Sequence, residues 1–284
     1  MAIRASQSYV PGAMARAGYH LDPQDPRAPT EEQWQSMSDD ERRAAVSALP
    51  SEIPRTHPPE GDAHRVPKER ALEALREWFR KKRRGIYLSA ELPVYYPGEE
   101  VFAPDVIAVL DVDPHLRQKW VVSEERRGLD FALEIHVSRN AKKDCEDNVV
   151  RYARLGIPEY FLFEPLRSRL VGYRLTEGRP GTYQPIVPQE GRWASSVLGL
   201  DLAMESGRIR FFSGSAPLPE AEELIVRLSS MIDEMVQREL SLRSDVEQER
   251  QRADTATERA DTATERAERL ARRLRELGID PDRE

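Results

Sequence analysis

The sequence predicts an α/β protein built on a mixed β-sheet, and three observations support this. Helical patterns and short apolar runs typical of strands succeed one another over residues 67–212. Of the 284 residues, 39% are hydrophobic and 33% charged, with the polar excess at both ends. Residues 220–277 contain neither proline nor glycine. We therefore expect three parts: an N-terminal extension (1–62), the α/β core (63–215) and a long coiled-coil-like helix (216–284).

The N-terminal extension combines proline-rich stretches with one short helix. Residues 1–29 contain four prolines and no clear period, which is typical of a mobile tail. Ser38 and Glu41 match a capping box, which predicts a helix that ends at Pro50. The proline-containing segment 51–61 is predicted to be a linker.

The core begins with an amphipathic helix. Pro67 suits the first helical position, and Gly85 is the predicted C-terminal cap. A second helix is predicted to start at an N-cap, Asp144, and to end at Gly156. Strand-like runs lie between and after these helices, at 86–88, 92–96, 106–112, 120–122, 131–137, 160–163, 170–175, 183–186 and 209–212.

The C-terminal part carries a heptad repeat. A seven-residue unit occurs twice in tandem, starting at Ala253 and Ala260, and apolar residues continue at alternating spacings of three and four to Leu277. This seam predicts association as a homodimer or with another protein, with the larger apolar side chains of 224–235 as the better docking surface. The alternative is a helix packed on its own globular domain.

Composition excludes several classes of protein. The single cysteine, Cys145, excludes an internal disulfide and a multi-cysteine zinc site, and it favours a reducing compartment. No apolar run is long enough for a signal peptide or a membrane span, so we expect a cytoplasmic protein with no membrane partner. The net charge of −7 argues against general nucleic-acid coating, although the basic run 80–84 is either a phosphate-binding face or a solvated helix end.

Two acidic residues in apolar strand-like runs are the main lead to function. Asp105 opens one run, and Glu134 lies inside another with His136 two residues on, which places Glu134 and His136 on one face. Carboxylates in such runs are costly unless they are paired or bind a cation. If the two acids meet, they form a Mg²⁺ site with the carbonyl of Ile135. The alternatives are that Asp105 caps a turn, that Glu134 pairs with an arginine, and that His136 is a half-buried strand residue.

Several stretches resemble a known family. They are Pro104-Asp105-Val106, Leu133-Glu134-Ile135, Asp144, the run from Tyr152 to Tyr160, and the run from Ser195 to Leu200. Together they resemble the Uma-two type of bacterial restriction-endonuclease-like proteins, which have the PD-(D/E)XK nuclease core, over roughly residues 67–213. The resemblance implies a restriction-endonuclease-like mixed sheet flanked by helices, and a nuclease that uses Mg²⁺ (or Mn²⁺) on DNA.

The chain departs from the family pattern at its lysines. His136 and Asn148 stand where the resemblance implies a catalytic lysine. Lys142 and Lys143 lie just before the second core helix, and Lys143 is the preferred substitute, with a solvated loop as the alternative. The remaining histidines, His20, His57, His64 and His115, are scattered without metal-ligand spacing.

The sequence therefore predicts a Mg²⁺-dependent endonuclease acting on DNA. Asp105 and Glu134 are its predicted metal ligands, with His136 and Lys143 as further catalytic groups. The alternative is a catalytically degenerate nuclease-fold module that binds its target and assembles through the C-terminal helix. The missing lysines and the long helix favour that alternative.

Overall fold

The computed structural model describes residues 18–52, 61–137 and 142–278, although not the side chains of 142–145. The chain divides into two compact units, Met1–Glu220 and Ala221–Glu284. The first unit is a mixed α/β structure and the second is one long helix, so the predicted fold class is confirmed. Within the described ranges, no helix is both long and apolar enough to cross a membrane.

The N-terminal helices are α1 (Glu31–Ser36) and α2 (Asp39–Ala48). The predicted capping box is confirmed, because the Ser38 side chain accepts the Glu41 N–H and the Glu41 side chain accepts the Ser38 N–H. The expectation of a mobile tail over 1–29 is wrong for its end. Ala28 is 2% exposed and Arg27 pairs with Glu100 in a β-bridge, so this segment is packed on the unit. Residues 1–17 and the linker segment 53–60 lie outside the described ranges.

Helix α3 (Asp62–Lys82) starts five residues before the predicted position, Pro67, which lies inside the helix. A proline there removes one backbone hydrogen bond. Tertiary contacts of the added turn, described below for His64, favour its helical conformation despite that loss. The predicted cap, Gly85, is also wrong. Arg83 is the C-cap, with φ of +54°, while Gly85 lies against the backbone of Val112, 3.1 Å from where a Cβ would stand.

The strands and the remaining short helices follow in chain order. They are β1 (Ile86–Ser89), β2 (Val94–Tyr95), β3 (Val106–Leu110), β4 (Trp120–Val121), α4 (Val122–Glu125), β5 (Phe131–Ile135), α5 (Lys142–Arg154), β6 (Glu159–Glu164), β7 (Arg169–Leu175), β8 (Tyr183–Pro185), β9 (Arg192–Ser195), β10 (Leu200–Glu205), β11 (Arg208–Ser213) and β12 (Ala216–Pro217).

A six-stranded sheet with the order β1-β3-β5-β6-β7-β8 forms the centre of the unit. Its strands pair antiparallel except for β5 and β6, which are parallel and are connected through α5. A four-stranded antiparallel sheet has the order β12-β11-β10-β9, and β2 pairs with β4 in parallel. The predicted mixed sheet is therefore present, with β9, β10 and β12 as strands that the sequence pattern did not reveal.

Both faces of the central sheet are buried. One face packs on α3 and on the four-stranded sheet through a cluster that includes Leu75, Leu133 and Phe211. The other face packs on α5 through a cluster that includes Tyr152 and Tyr160. Burial on both sides explains why β3 and the interior of β6 (160–163) are continuous apolar runs rather than alternating patterns.

Two predicted boundaries near the candidate site are wrong. The strand predicted over 131–137 ends at Ile135, so His136 follows the strand rather than lying within it. Helix α5 begins at Lys142, two residues before the predicted N-cap, Asp144. Short-range sequence signals locate element ends poorly, because long-range pairing decides where a strand stops.

The second unit is α6 (Ala221–Glu276), a helix of 56 residues that measures about 84 Å. None of its residues is buried within the described chain, and its large apolar side chains are exposed. A helix with so many uncovered apolar side chains is typical of one strand of a coiled coil.

Candidate metal centre

The pairing of β3 with β5 brings Asp105 and Glu134 together. Val106 stands opposite Leu133 in this antiparallel pair, so the preceding Asp105 faces the following Glu134. The Asp105 N–H donates to Glu134 Oε2 at 3.4 Å, and the Ile135 N–H donates to Asp105 Oδ2 at 2.7 Å. Two carboxylates far apart in sequence thus share one end of the sheet.

Glu134 is a perturbed acid. Burial, followed by the nearby charge of Asp105, raises the pKa of Glu134 to about 8. The Tyr152 hydroxyl donates to Glu134 Oε1 at 2.6 Å, which offsets part of this shift. Burial and the Glu134 charge in turn raise the pKa of Tyr152. The protonated form of the Glu134 carboxyl is therefore favoured near neutral pH.

His64 reaches this site from the first turn of α3. Its Nε2 lies 3.1 Å from Asp105 Oδ1, and the two side chains are only 13% and 11% exposed. The scattered spacing of the histidines in the sequence did not point to His64, which the fold brings beside Asp105. The added helical turn before Pro67 carries it to the sheet, and that turn was missed when the helix was predicted to start at Pro67.

Glu91 completes a cluster of possible metal ligands. One ligand atom from each of His64, Glu91 and Asp105 lies within 4.8 Å of the others, the one such three-residue group among the described residues. Glu91 follows β1 with a φ of +50°, uncommon for a residue with a side chain, and its N–H donates to the Pro104 carbonyl at 3.0 Å. This hydrogen bond holds the turn of Glu91 against the start of β3.

Lys68 contributes a cation to the same cluster. It stands one helical turn after His64 on α3, and its ammonium contacts the Glu91 carboxylate. The side chain of Lys68 is 8% exposed and that of Glu91 is 21% exposed. The site therefore combines acids and an imidazole with an adjacent ammonium group.

The other two predicted site residues stand differently. His136 follows β5, and its N–H donates to the Phe163 carbonyl at 2.7 Å. Its Nε2 is buried and has no hydrogen-bond partner within the described part of the chain. The side chain of Lys143 lies outside the described residues, as does that of Lys142. The structure thus brings Asp105 and Glu134 into direct contact and adds His64, Glu91 and Lys68.

The basic run 80–84 lies at the other end of α3. Arg80 and Lys81 pair with Glu77, and Arg84 pairs with Asp111. Sixteen residues of helix separate Arg80 from His64, which corresponds to about 24 Å along the axis. The ion pairs of this run support its interpretation as a solvated helix end.

The donor set fits a divalent cation. Carboxylate oxygens are the ligands that Mg²⁺ and Mn²⁺ share, and an imidazole favours Mn²⁺ over Mg²⁺. The raised pKa of Glu134 indicates that the charge of its carboxylate lacks full compensation, which a cation at this position would supply. The charged residue Lys68 on an otherwise apolar helix face was the one sequence signal that pointed to this part of the site.

Comparisons with known proteins match this chain to one family model and to solved structures. The model of the Uma2 family, described as "Putative restriction endonuclease", matches residues 32–205, which is more than half of the chain. One similar solved structure is titled a "putative nuclease belonging to DUF820" from Anabaena variabilis ATCC 29413. It is 14% identical with a TM-score of 0.42, and the alignment covers 58% of this chain and 95% of that one. No curated protein matches the chain.

Proposed function

Because the chain belongs to the Uma2 family of restriction-endonuclease-like proteins, we propose that it is a metal-dependent endonuclease that hydrolyses phosphodiester bonds in DNA. The contact between Asp105 and Glu134, with His64 and Glu91 beside Asp105, is the observation that carries this proposal. The single cysteine supports a reducing, cytoplasmic setting for the activity.

The proposed reaction is a hydrolysis. The oxygen of a water molecule forms a bond to phosphorus and the ester bond to the leaving oxygen breaks. One proton of that water ends on the leaving oxygen, and the other stays on the new phosphate monoester. A bound Mg²⁺ or Mn²⁺ ion lowers the pKa of a bound water and compensates phosphate charge.

We assign roles to the residues of the site on this basis. Asp105 and Glu134 are the proposed metal ligands, with Glu91 and His64 as additional donors on the α3 side of Asp105. Glu134 must lose its proton to bind the cation, and the Tyr152 hydroxyl orients its carboxylate. His136 and Lys143 are proposed as auxiliary groups for the attacking water and the phosphate.

Two matched aspartate variants test this function. Asp105→Asn removes a proposed ligand, whereas Asp130→Asn alters an aspartate that accepts the Leu110 N–H at 2.7 Å in the same strand pair. We expect Asp105→Asn to weaken Mn²⁺ binding in calorimetry by more than about tenfold. Cleavage of plasmid DNA should fall by about 100-fold or more. The Asp130→Asn variant should keep both.

Metal binding and DNA cleavage by the wild-type protein distinguish the nuclease from the catalytically degenerate binding module. Binding of Mn²⁺ tighter than Mg²⁺, with cleavage of plasmid DNA, supports the nuclease. If the wild type neither binds Mn²⁺ nor cuts single-stranded, duplex or supercoiled DNA, the nuclease proposal is wrong. The catalytically degenerate binding module is then the better description, as Asn148 and His136 at the lysine positions of the resemblance suggest.

We further propose that α6 assembles with a second copy of this chain. One heptad register runs along α6 from Ala221 to Leu277, just past its last residue, and fifteen of the seventeen seam positions are apolar. The two charged seam positions are Glu239 and Glu249. The seam comprises residues 221, 225, 228, 232, 235, 239, 242, 246, 249, 253, 256, 260, 263, 267, 270, 274 and 277.

Charge and side-chain size favour an antiparallel pair. Residues 221–249 contain eight acidic and three basic residues, and residues 250–277 contain six acidic and eight basic residues. An antiparallel arrangement places the acidic half of one helix beside the more basic half of its partner. It also places the large seam residues of the first half against the small alanines of the second. The same sequence thus supplies both complementary surfaces.

A further inference from the structure

A buried lysine lies on the apolar face of α3. The other buried residues of this helix are all apolar, namely Ala71, Leu72, Leu75 and Phe79. Among the lysines whose side chains the structure describes, Lys68 alone is buried. Burying an ammonium group is costly even when it is paired, and a well-packed apolar residue usually costs less. Packing therefore gives no reason for a lysine at this position.

The position of this ammonium group relative to the candidate metal centre suggests such a reason. Lys68 contacts Glu91, and a Glu91 oxygen lies within 4.8 Å of ligand atoms of both Asp105 and His64. The left-handed backbone of Glu91 and its hydrogen bond to Pro104 fix the carboxylate that Lys68 meets. The Glu91 carboxylate thus lies between the Lys68 ammonium group and Asp105.

We propose that Lys68 is the catalytic cation of this site, contacting the phosphate that is cut. The inference rests on the proposed nuclease function. A phosphodiester gains negative charge on its non-bridging oxygens as water attacks, and a preorganised ammonium group stabilises that charge more than it stabilises the ground state. Lys68 donates hydrogen bonds in this role and transfers no proton. Helix α3 therefore supplies both an imidazole and an ammonium group to the site.

The opposite side of the site offers a second position for such a cation. Asn148 stands one turn before Tyr152 on α5, and Tyr152 donates to Glu134. Residues four apart share a helix face, so a lysine at position 148 would also lie on the side of α5 that faces Glu134. This geometry makes a relocation experiment possible.

The first test uses the full-length protein and the substitution Lys68→Met, which keeps the length of the side chain and removes the charge. We expect DNA cleavage to fall by about 100-fold or more. Calorimetry should show Mn²⁺ binding at least as tightly as in the wild type, because a cation that competes for Glu91 has been removed. The matched control is Lys119→Met, since Lys119 is a partly buried lysine that contacts the Leu49 carbonyl outside the site.

The second test moves the charge. The double variant Lys68→Met with Asn148→Lys should cleave DNA at least about tenfold faster than Lys68→Met alone, as expected for a charge that acts on the phosphate. Lys143→Met, tested in parallel, should reduce cleavage less than Lys68→Met does. A structural role for Lys68 predicts no recovery, since a lysine on α5 cannot restore packing on α3.

The outcomes separate this inference from the function on which it rests. If Lys68→Met cleaves DNA at the rate of the wild type, the catalytic role of Lys68 is wrong. That role is also wrong if the loss of cleavage is accompanied by weaker Mn²⁺ binding or by a lower melting temperature. Wild-type protein that binds Mn²⁺ but cuts no DNA contradicts the nuclease function instead. In that case Mn²⁺ binding by Lys68→Met that is at least as tight as in the wild type still supports the place of Lys68 beside the cation, and weaker binding contradicts that place.

Discussion

At the scale of single residues, Asp105 joins the two sides of the site. Its backbone and side chain contact β5 through Glu134 and Ile135, while its other carboxylate oxygen faces His64 on α3. A short acidic side chain at the start of a strand is therefore held by contacts from both layers of the protein. Such preorganisation keeps ligand atoms in place before a cation arrives.

The raised pKa of Glu134 predicts a pH-dependent stability. A folded-state pKa near 8, above that of the unfolded chain, means that the folded state holds the extra proton. Its contribution to stability is complete below about pH 4.5 and is lost as the pH rises through about 8. We expect Glu134→Gln to flatten this fall, so that the variant gains stability relative to the wild type towards pH 8.5.

Urea denaturation at several pH values in the presence of EDTA measures this difference. The chelator keeps the comparison to the metal-free protein. Glu177→Gln is the control, because Glu177 is exposed on the same unit and should leave the pH profile unchanged. If the free energy of unfolding depends on pH in the same way for the wild type and for Glu134→Gln, the raised pKa of Glu134 is wrong.

At the scale of elements, a buried glutamate connects the two sheets. Glu159 at the start of β6 accepts hydrogen bonds from the Ser195 and Ser196 hydroxyls and from the Ser196 N–H. The Arg174 guanidinium on β7 lies 2.7 Å from Glu159 Oε1. Glu159 and these serines belong to the runs that carry the family resemblance. Their contacts therefore assign Glu159 and these serines to the architecture, whereas Tyr152 in the same run contacts Glu134 at the metal centre.

Glu159→Gln tests this structural role. The substitution removes a fully buried charge and leaves Arg174 without its anion, so we expect a loss of about 3 kcal/mol in the free energy of unfolding. Mn²⁺ affinity at temperatures where the variant is folded should be unchanged. Urea denaturation and calorimetry give the two readings, with the exposed Glu73→Gln as control. A stable variant with weakened metal binding would assign Glu159 to the site instead.

At the scale of the whole molecule, α6 offers matched positions for testing self-association. Leu242 lies on the proposed seam and Leu240 lies off it, and the two residues are 58% and 54% exposed in the single chain. We expect Leu242→Asp to convert a dimer to a monomer, as measured by light scattering. Dimerisation would bury the unpaired aspartate carboxylate among the apolar residues of the seam, which is costly. Leu240→Asp should remain dimeric.

The direction of the pair has its own measurement. In a Cys145→Ser background, the antiparallel register that we propose is the one that places Leu228 of one copy opposite Ala267 of the other, because it sets large seam residues against alanines. Mixed Leu228→Cys and Ala267→Cys chains should therefore form a disulfide under mild oxidation, whereas Leu228→Cys alone should not. Efficient cross-linking of Leu228→Cys with itself indicates a parallel pair. A monomeric wild type would end the self-association proposal.

By itself the sequence determined most of the local elements of the core and the family. The capping box at Ser38, the apolar strands and the heptad repeat are short-range patterns, and the matching helices and strands form. Asp105 and Glu134 stood out because a carboxylate beside apolar residues is conspicuous in any single run. These features need no knowledge of which strand pairs with which.

Only the tertiary structure decided which side chains share the site. His64, Lys68 and Glu91 lie on a helix and a turn that contact Asp105 only once α3 packs beside β3. The helical turn before Pro67 runs against the usual preference of proline, and its contact with the sheet outweighs the lost hydrogen bond. The physical reason is that pairing and packing free energies come from residues distant in sequence, which no local pattern contains.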